Sequence, residues 1–341
     1  MVTWELLGNS ADASGWDRDL SAGADANVFQ SYGWGEFKRV CGWSPMRWIA
    51  RDRDRVVVGL VQILTKTLLP GVRIGWAPGG PVCIFSEHTG QRPEDLVSAL
   101  LEAIKSNYRI FCVRFDSYAP LGSSLADAFK LVLVRPLFKL NTGSSLYFNL
   151  ENSLDELRAR MTAKHRYYVK KALNEKLDWK AGSDDQSVQA LLQLHNEMVL
   201  NKRLDSLRTS SNEVASLCRI LGTSAVIFTG YAHDVPVTSC LVLLFERKAF
   251  YWMAATGAKG REISASYAMV YRLLEYLQRL GIKQLDFGGL APGSPLTEGV
   301  NHFKRGFGGE IVEYLGEWEW SSDTWLRWVF NQAIRRWSGR L

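Results

Sequence analysis

Residues 226–245, VIFTGYAHDVPVTSCLVLLF, are the clearest indication of the fold. Two runs rich in β-branched and aromatic residues flank the polar pair His233 and Asp234, a pattern that predicts a β-hairpin. Residues 49–64, IARDRDRVVVGLVQIL, repeat this order of strand, polar turn and strand. The turn residues Asp54 and Asp234 stand 180 positions apart. The chain therefore carries two similar hairpins, one in each half.

Each hairpin is followed by a predicted helix and a further strand. In the first half, a helix over 97–107 precedes a strand that ends at Asp116. In the second half, a helix over 267–280 precedes a strand that leads to Asp286. Because the features recur in one order and at nearly one offset, we expect two copies of one α+β domain with a largely antiparallel sheet. A pattern this coarse also arises by chance, which is the alternative.

Composition excludes several classes of protein. The 341 residues suit two domains of ordinary size, and 47% hydrophobic content excludes a disordered chain. Lys and Arg number 41 against 35 acidic residues, a mild excess of +6. The five cysteines and five histidines show no metal-ligand spacing, so neither a metal nor a cofactor is expected. No signal peptide and no apolar run of ~18 residues are evident, so a cytoplasmic protein is expected.

A basic helix is predicted after the joint between the two halves, near 144–152. Ser153 and Glu156 form a capping box that starts a helix extending to about Leu177. No acidic residue lies between Glu156 and Glu175, whereas six cations do: Arg158, Arg160, Lys164, Arg166, Lys170 and Lys171. Their mutual repulsion favours an anionic partner such as the phosphates of a nucleotide or an RNA. A solvated helix face is the alternative.

A glycine-rich constellation follows the last predicted strand. Residues 285–290 read LDFGGL, and residues 301–309 read NHFKRGFGG, with a Pro, Gly and Ser-rich loop between them at 291–299. Glycine at a strand end lets the backbone approach a ligand or take positive φ. A lysine in an apolar frame, such as Lys304, can stabilise an oxyanion or a phosphate. A plain strand and turn with exposed cations is the alternative.

Four patches of sequence together resemble the FemABX family. They are spread in family order from Phe29 to Gly309 and so cover nearly the whole chain. The patches are Phe29-Gln30-Ser31-x-x-Trp34-Gly35-x-x-Lys38 with Gly42-Trp43, Pro78-Gly79-Gly80-Pro81-Val82, Thr162-x-Lys164-x-Arg166, and the Asp-Phe-Gly-Gly and Phe-Lys-Arg-Gly-Phe-Gly-Gly constellation. One family feature is missing, because the coiled-coil arm of larger members has no room between Ala172 and Val226.

The resemblance implies a fold and an activity. The fold is two tandem GNAT-like domains, with the C-terminal helix packing back on the first: residues 1–148 plus 317–341, and residues 149–316. The activity is transfer of an amino acid from aminoacyl-tRNA to an amine of a peptidoglycan precursor. The acceptor is a nucleotide-linked or lipid-linked muropeptide (UDP-MurNAc-pentapeptide or lipid II). An N-acyltransferase using acyl-CoA or another donor in envelope biosynthesis is the alternative, and a non-enzymatic tRNA- or membrane-binding module is a third.

The resemblance also carries over individual residues. Lys38 and Arg166 match positions that bind the phosphates of the nucleotide sugar. Lys304 matches the lysine that stabilises the reacting ester, Phe303 is its aromatic neighbour, and Asp116 matches a candidate acid. The remaining candidate substrate-binding residues come from the basic helix and the glycine-rich constellation: Lys164, Tyr168, Gly288, Gly289 and Arg305.

The chemistry needs few groups from the protein. An aminoacyl ester is already activated, so alignment of the substrates and stabilisation of the oxyanion suffice. No Ser-His-Asp or Cys-His arrangement is evident, which agrees with direct transfer. The chain also lacks the Arg/Gln-x-x-Gly-x-Gly loop with which GNAT enzymes hold CoA pyrophosphate. This absence favours tRNA as the carrier of the donor.

The C-terminal tail predicts an amphipathic helix. It begins at Ser322 and Asp323 and carries eight apolar residues together with four arginines: Trp325, Leu326, Trp328, Val329, Phe330, Ala333, Ile334, Trp337, Arg327, Arg335, Arg336 and Arg340. Packing of the apolar side on the first domain is expected, because eight positions are too many for a narrow interfacial stripe. Peripheral contact with the inner face of a membrane, through the arginines, is the second expectation.

Overall fold

The computed structural model describes residues 2–8, 12–69, 72–84, 92–107, 110–202, 211–290 and 298–338. These residues divide into two units, each with its own hydrophobic core. The first unit takes in residues of 1–143 and 313–340, and the second takes in residues of 144–312.

The first unit combines a sheet with helices that begin at clear sequence signals. The helix over 93–107, for example, has proline at its first position and two acidic residues in its first turn. The elements are β1 Thr3–Leu6, α1 Ala13–Ser21, α2 Tyr32–Val40, β2 Ser44–Arg51, β3 Val57–Leu69, β4 Val72–Pro78, β5 Val82–Cys83, α3 Pro93–Asn107, β6 Ile110–Pro120, α4 Ser124–Val132, β13 Glu310–Ser321 and α12 Thr324–Ser338, with a 3-10 turn at Val28–Gln30.

The strands of the first unit lie in the order β1-β2-β3-β4-β6-β13, with β5 beside β3. Among the pairings of these described strands, β4–β6 is parallel and the others are antiparallel. The buried side of α3, with Leu96, Leu100 and Ile104, packs together with Phe129 of α4 into the core of this unit. The crossover from β4 to β6 through α3 thus covers one face of the sheet.

The second unit repeats this architecture. Its elements are β7 Ser144–Asn149, α5 Leu154–Arg160, α6 Ala163–Leu173, β8 Asp178–Gly182, α7 Asp185–Lys202, α8 Ser211–Leu221, β9 Ala225–Ala232, β10 Val235–Phe245, β11 Lys248–Thr256, α9 Ala258–Glu262, α10 Ala265–Arg279, β12 Gln284–Gly289 and α11 Glu298–Arg305, with a 3-10 turn at Gly222–Ser224. The strand order is β7-β12-β11-β10-β9-β8, and only β11–β12 is parallel. Met269, Leu273 and Leu277 on α10 pack into its core.

The two units share one connectivity, as the repeated hairpins predict. In each, two antiparallel pairings are followed by a helical crossover and a parallel strand: β2-β3-β4-α3-β6 in the first and β9-β10-β11-α10-β12 in the second. The largely antiparallel α+β fold is confirmed. The predicted boundary at 148/149 lies inside β7, which pairs with β12, so the whole strand belongs to the second unit.

The C-terminal helix packs on the first unit, as expected from the family resemblance. A buried ionic cluster holds it there. Arg114 of β6 donates to Glu319 of β13 and, at 3.0 Å, to the Oδ1 of Asn331 on α12. Asn331 in turn donates to both carboxylate oxygens of Glu319 at 2.9 and 3.1 Å. These three side chains are nearly inaccessible to solvent, so each depends on the others for its hydrogen-bond partners.

Two predicted elements differ in the structure. The basic helix is not continuous to Leu177, because it breaks at Met161 into α5 and α6. Thr162 has extended backbone, and its hydroxyl caps the second helix by accepting from the amide of His165. The predicted loop at 291–299 lies mostly outside the described residues, but its end already belongs to α11.

The described helices include none with both the length and the apolar character needed to cross a bilayer.

Candidate functional site

The candidate site of the second unit lies where two parallel strands part. The register of β11 and β12 pairs Phe250 with Asp286, and the described ladder goes no further. Beyond it, the pairing of β12 with β7 shifts between Asp286 and Gly289. Phe287 and Gly288 therefore lie beyond the described pairing of β12 with β11 and within the irregular part of its pairing with β7. The glycine pair predicted at a strand end is therefore found there.

Lys304 lies beside this gap. Its Nζ donates a hydrogen bond of 3.0 Å to the carbonyl oxygen of Gly289 and lies 5.8 Å from the ring centre of Phe287. Gly288 has a φ of +85°, and a Cβ there would lie 3.1 Å from Nζ and 3.4 Å from the carbonyl oxygen of Tyr251. Glycine is therefore required at 288 for its backbone conformation and for the space that it leaves to the ammonium group.

The charge of Lys304 is set by two opposing effects. Partial burial lowers the pKa of its ammonium, and the carboxylate of Asp286 raises it again in part. Asp286 is itself nearly inaccessible, and its Oδ1 accepts from the hydroxyl of Ser145 and, at 2.8 Å, from the amide of Gly288. The site thus holds a partly desolvated cation beside a fixed carboxylate. Such a cation can stabilise negative charge that develops on a substrate oxygen.

His165 fastens the helix that carries Lys304. The imidazole is 1% exposed; its Nε2 lies 3.0 Å from the carbonyl oxygen of Phe303, and its Nδ1 lies 2.8 Å from the hydroxyl of Thr162. A carbonyl can only accept, so Nε2 carries the proton and Nδ1 accepts from the hydroxyl. Burial lowers the pKa of His165, which favours this neutral form. The amide of Thr162 also donates to the carbonyl oxygen of Gly306, at 2.9 Å.

The buried imidazole of His165 explains why residue 306 is a glycine. A Cβ at that position would lie 1.9 Å from Cε1 of the buried imidazole, closer than any real contact. The rings of Phe303, Phe307 and Tyr267 surround His165 at centroid distances of 4.9 to 6.1 Å. The Phe-Lys-Arg-Gly-Phe motif therefore forms a helix end packed on an aromatic cluster rather than the strand and turn that stood as its alternative.

The basic residues of α5 and α6 lie on the outside of the unit. All six are exposed, and the run is not free of counter-charge, because Arg160 pairs with Glu310 at 3.1 Å. Arg166 turns back on the first helix and donates to the carbonyl oxygens of Ala159 and Met161. Four have neither an ion pair nor a side-chain hydrogen bond with any described residue: Arg158, Lys164, Lys170 and Lys171. These four remain available to an anionic ligand.

Tyr168 joins the basic helix to the aromatic cluster. Its ring stacks on Tyr267 with 4.9 Å between centroids, while Tyr267 also meets Phe303 edge-on at 5.2 Å. The neighbouring Tyr167 is exposed. Tyr168 therefore packs on another side chain of the protein, which is the usual role of such a tyrosine.

Two predicted site residues belong to the first unit. The Nζ of Lys38 lies 4.9 and 4.8 Å from the ring centres of Trp34 and Phe37, and both rings are buried. Asp116 does not end its strand, because β6 continues to Pro120. It is buried and accepts from the amide of Asn141.

The pKa of Asp116 differs from that of an ordinary exposed carboxylate. Burial raises its pKa to about 7, and the nearby carboxylate of Glu317 acts in the same direction. The hydrogen bond from Asn141 and the charge of Arg114 oppose this shift. A carboxyl that titrates near neutrality could exchange a proton with a ligand, although this one has almost no exposed surface.

The structure brings together part of the predicted set. Lys304, Gly288 and Gly289 meet where the described ladder of β11 and β12 ends. Phe303 precedes Lys304 on α11 and contacts Tyr267, on which Tyr168 stacks. Lys164 and Arg305 are exposed on the same unit. No group of three His, Cys, Asp or Glu side chains suited to a metal ion occurs among the described residues.

Sequence reasoning missed the residues that hold Lys304 in place. Asp286 stood within the quoted motif, but nothing in its spacing marked it as a partner of Lys304. His165 lay inside the basic run, 138 positions from Phe303, so no local pattern could reveal the contact. Ser145 and Thr162 are ordinary hydroxyl residues in the sequence. The role of Thr162 as the N-cap of α6 becomes visible only in the structure, where the helix breaks before α6.

The chain is similar in sequence to a known family of proteins. A model of the FemAB family matches residues 165–334, about half of the chain. Aminoacyltransferase FemA of Staphylococcus epidermidis is 23% identical over 123 residues, which are 35% of this chain and 27% of that protein. The match thus spans about a quarter of the relative's length.

Solved structures show the fold. The crystal structure of FemX superposes with a TM-score of 0.81 at 16% identity, over 96% of this chain and all of that one. A tandem GNAT protein from the clavulanic acid biosynthesis pathway superposes with a TM-score of 0.54 at 14% identity, over 95% and 99% of the two chains. The tandem GNAT-like fold expected from the sequence is therefore confirmed.

Proposed function

Because this chain belongs to the FemABX family, we propose that it is an aminoacyltransferase that moves an amino acid from aminoacyl-tRNA to an amine of a peptidoglycan precursor. Since aminoacyl-tRNA is the donor, the reaction takes place in the cytoplasm. The acceptor is UDP-MurNAc-pentapeptide or its lipid-linked form.

The observation that carries this proposal is the position of Lys304. Its ammonium group is partly desolvated, points at the gap beside Gly288 and is fixed by the carbonyl oxygen of Gly289. Hydrogen-bond donors that are oriented before the reaction stabilise a developing oxyanion better than water does. An ester carbonyl bound in the gap would direct its oxygen at Nζ.

The reaction needs no covalent intermediate on the protein. The acceptor amine attacks the carbonyl carbon of the aminoacyl ester, and the C–N bond forms as the carbonyl oxygen gains negative charge. Lys304 stabilises that oxygen. The C–O bond to the ribose then breaks, the nitrogen loses one proton and the ribose oxygen gains one.

The exposed cations of α5 and α6 suit the phosphates of the donor. Arg158, Lys164, Lys170 and Lys171 are exposed on the second unit and have no partner carboxylates among the described residues. We assign Lys38 and Arg166 to the phosphates of the acceptor. For Arg166 this role requires its guanidinium to exchange backbone carbonyls for phosphate oxygens.

The test is a transfer assay with purified protein. Aminoacyl-tRNA with a radiolabelled amino acid is incubated with UDP-MurNAc-pentapeptide or with lipid II, and labelled acyl-CoA replaces the tRNA in a parallel reaction. We expect transfer from tRNA only. Lys304→Met should lower the rate about 100- to 1,000-fold, whereas Lys259→Met, a change of an exposed lysine on α9, should leave it unchanged.

Two results would overturn the proposal. Transfer from acyl-CoA and none from tRNA would assign the chain to the N-acyltransferases instead. Full activity of the Lys304→Met protein would remove Lys304 from the reaction. Circular dichroism of both variants establishes that a lost rate is not lost folding.

A further inference from the structure

The C-terminal helix has a second side that its packing leaves uncovered. Successive residues of an α-helix lie about 100° apart, so Trp325, Trp328, Val329 and Arg336 fall within one sector of α12. Trp325 is 66% exposed and Trp328 is 51% exposed. The opposite sector carries Phe330 and Asn331, which are buried against the first unit.

A neighbouring segment adds to this uncovered surface. The segment 134–139 follows α4 and lies beside α12, because the amide of Phe138 donates to Asn331 at 3.1 Å and Arg327 donates to the carbonyl oxygen of Arg135. Leu131 at the end of α4 is 72% exposed and Leu137 is 59% exposed, while Val134 is also exposed. We call the exposed side chains of the end of α4, of this segment and of α12 the terminal face: Leu131, Val134, Leu137, Lys139, Trp325, Trp328, Val329, Arg335 and Arg336.

The charges of the terminal face are mainly positive. Lys139, Arg335 and Arg336 are exposed, and neither Lys139 nor Arg336 forms an ion pair with a described residue. The nearby acid Asp127 is paired with Lys130 at 2.8 Å. Asp323 is committed to the start of the helix, where it accepts from the amide of Leu326.

We propose that the terminal face docks on the surface of an anionic membrane. Exposed apolar groups that adjoin one another mark an interaction site. Tryptophan favours the boundary between lipid and water, because its ring is apolar and its N–H is polar. Cations beside such rings are attracted by the negative headgroups of the bilayer. The unpaired cations favour an anionic lipid surface over a second copy of this basic chain, whose terminal face would repel the first.

Vesicle sedimentation tests the proposal. The full chain is spun with vesicles of phosphatidylcholine alone and with vesicles that also contain phosphatidylglycerol. We expect binding to the anionic vesicles only, falling as salt rises. Trp325→Ser with Trp328→Ser should abolish it. Lys139→Glu with Arg336→Glu should weaken it at least about thirtyfold, since each cation near an anionic surface contributes about fivefold.

Matched controls keep the outcome decisive. Val235→Ser with Leu280→Ser changes two exposed apolar residues of the second unit, and Arg18→Glu changes an exposed cation on α1. Both should bind as the unchanged protein does. Absence of binding, or equal binding by the double tryptophan variant, would overturn the proposal. So would a dimer in sedimentation velocity that the tryptophan changes dissociate, because the face would then join two copies.

Discussion

The Nε2 of His165 lies 3.0 Å from the carbonyl oxygen of Phe303, one residue before the lysine proposed to stabilise the oxyanion. The imidazole is neutral and buried, and it joins the start of α6 to the end of α11. His165 therefore holds the helix that carries Lys304, and its burial leaves almost no surface for a ligand.

Loss of the hydrogen bond between His165 and Phe303 should lower kcat more than it weakens the binding of the substrates. We expect His165→Ala to reduce kcat about 10- to 100-fold with KM for both substrates nearly unchanged, because Lys304 loses its orientation. His165→Gln should recover most of kcat, since the glutamine amide can still donate to the carbonyl oxygen of Phe303. Steady-state kinetics at a temperature where both variants are folded provides the measurement. Equal kcat for the alanine variant and the unchanged protein would contradict the positioning role.

Gly288→Ala should impair the reaction through contact with Lys304. The added Cβ would lie 3.1 Å from Nζ, and the positive φ costs alanine about 1 kcal/mol of stability. Gly281→Ala is the matched control, because Gly281 also has positive φ but has no atom within 4 Å of an added Cβ. Thermal denaturation should show a similar stability loss in both, whereas the transfer assay should show lost activity in Gly288→Ala alone.

Stability should depend on pH through Asp116. The pKa of this carboxyl is about 7 in the folded chain and near 3.8 when unperturbed, so between these values the folded state keeps a proton that the unfolded state has lost. The free energy of unfolding therefore falls as pH rises through this window. We expect Asp116→Asn to be roughly 2–4 kcal/mol more stable than the unchanged protein at pH 8 and equal to it near pH 4.

Denaturation by urea across this pH range measures the difference. If the two proteins keep one constant difference in stability at every pH, the carboxyl does not titrate as stated. The same variant in the transfer assay tests the proposed role of Asp116 as an acid, independently of stability.

Asn331→Ala should loosen the C-terminal helix. Its side chain joins Arg114, Glu319 and the amide of Phe138, so its loss leaves buried polar groups without partners. We expect a loss of about 2–4 kcal/mol and faster hydrogen exchange in β6 and β13. Gln332→Ala, at the next position of α12, should have little effect. If hydrogen exchange in β6 and β13 is unchanged in the Asn331→Ala protein, the buried ionic cluster does not hold α12 in place.

Local patterns predicted most of the fold. The hairpins at 49–64 and 226–245 and the helices at 97–107 and 267–280 form as expected, because each has a clear period and turn. The pairing of β7 with β12 and of β13 with β6 could not be predicted this way, since it joins segments more than 130 positions apart.

The site was predicted less completely than the fold. Lys304 and its glycines could be named as candidates because their motifs are contiguous in sequence. Thr162 stood in a pattern that predicted one continuous helix, and its role as the N-cap of α6 is visible only in the structure. His165 and Asp286 act through contacts that only the folded chain creates.

The ionic cluster under α12 has a consequence for synthesis of the chain. Arg114 emerges from the ribosome 205 residues before Glu319, the carboxylate that neutralises it. At 5–20 residues per second the interval is roughly 10–40 s. During that time the nascent first unit has β6 as an unpaired sheet edge and an arginine that cannot be buried. Chaperones that shield such edges should therefore raise the yield of this protein, and a stalled ribosome between Arg114 and Glu319 should expose the first unit to proteolysis.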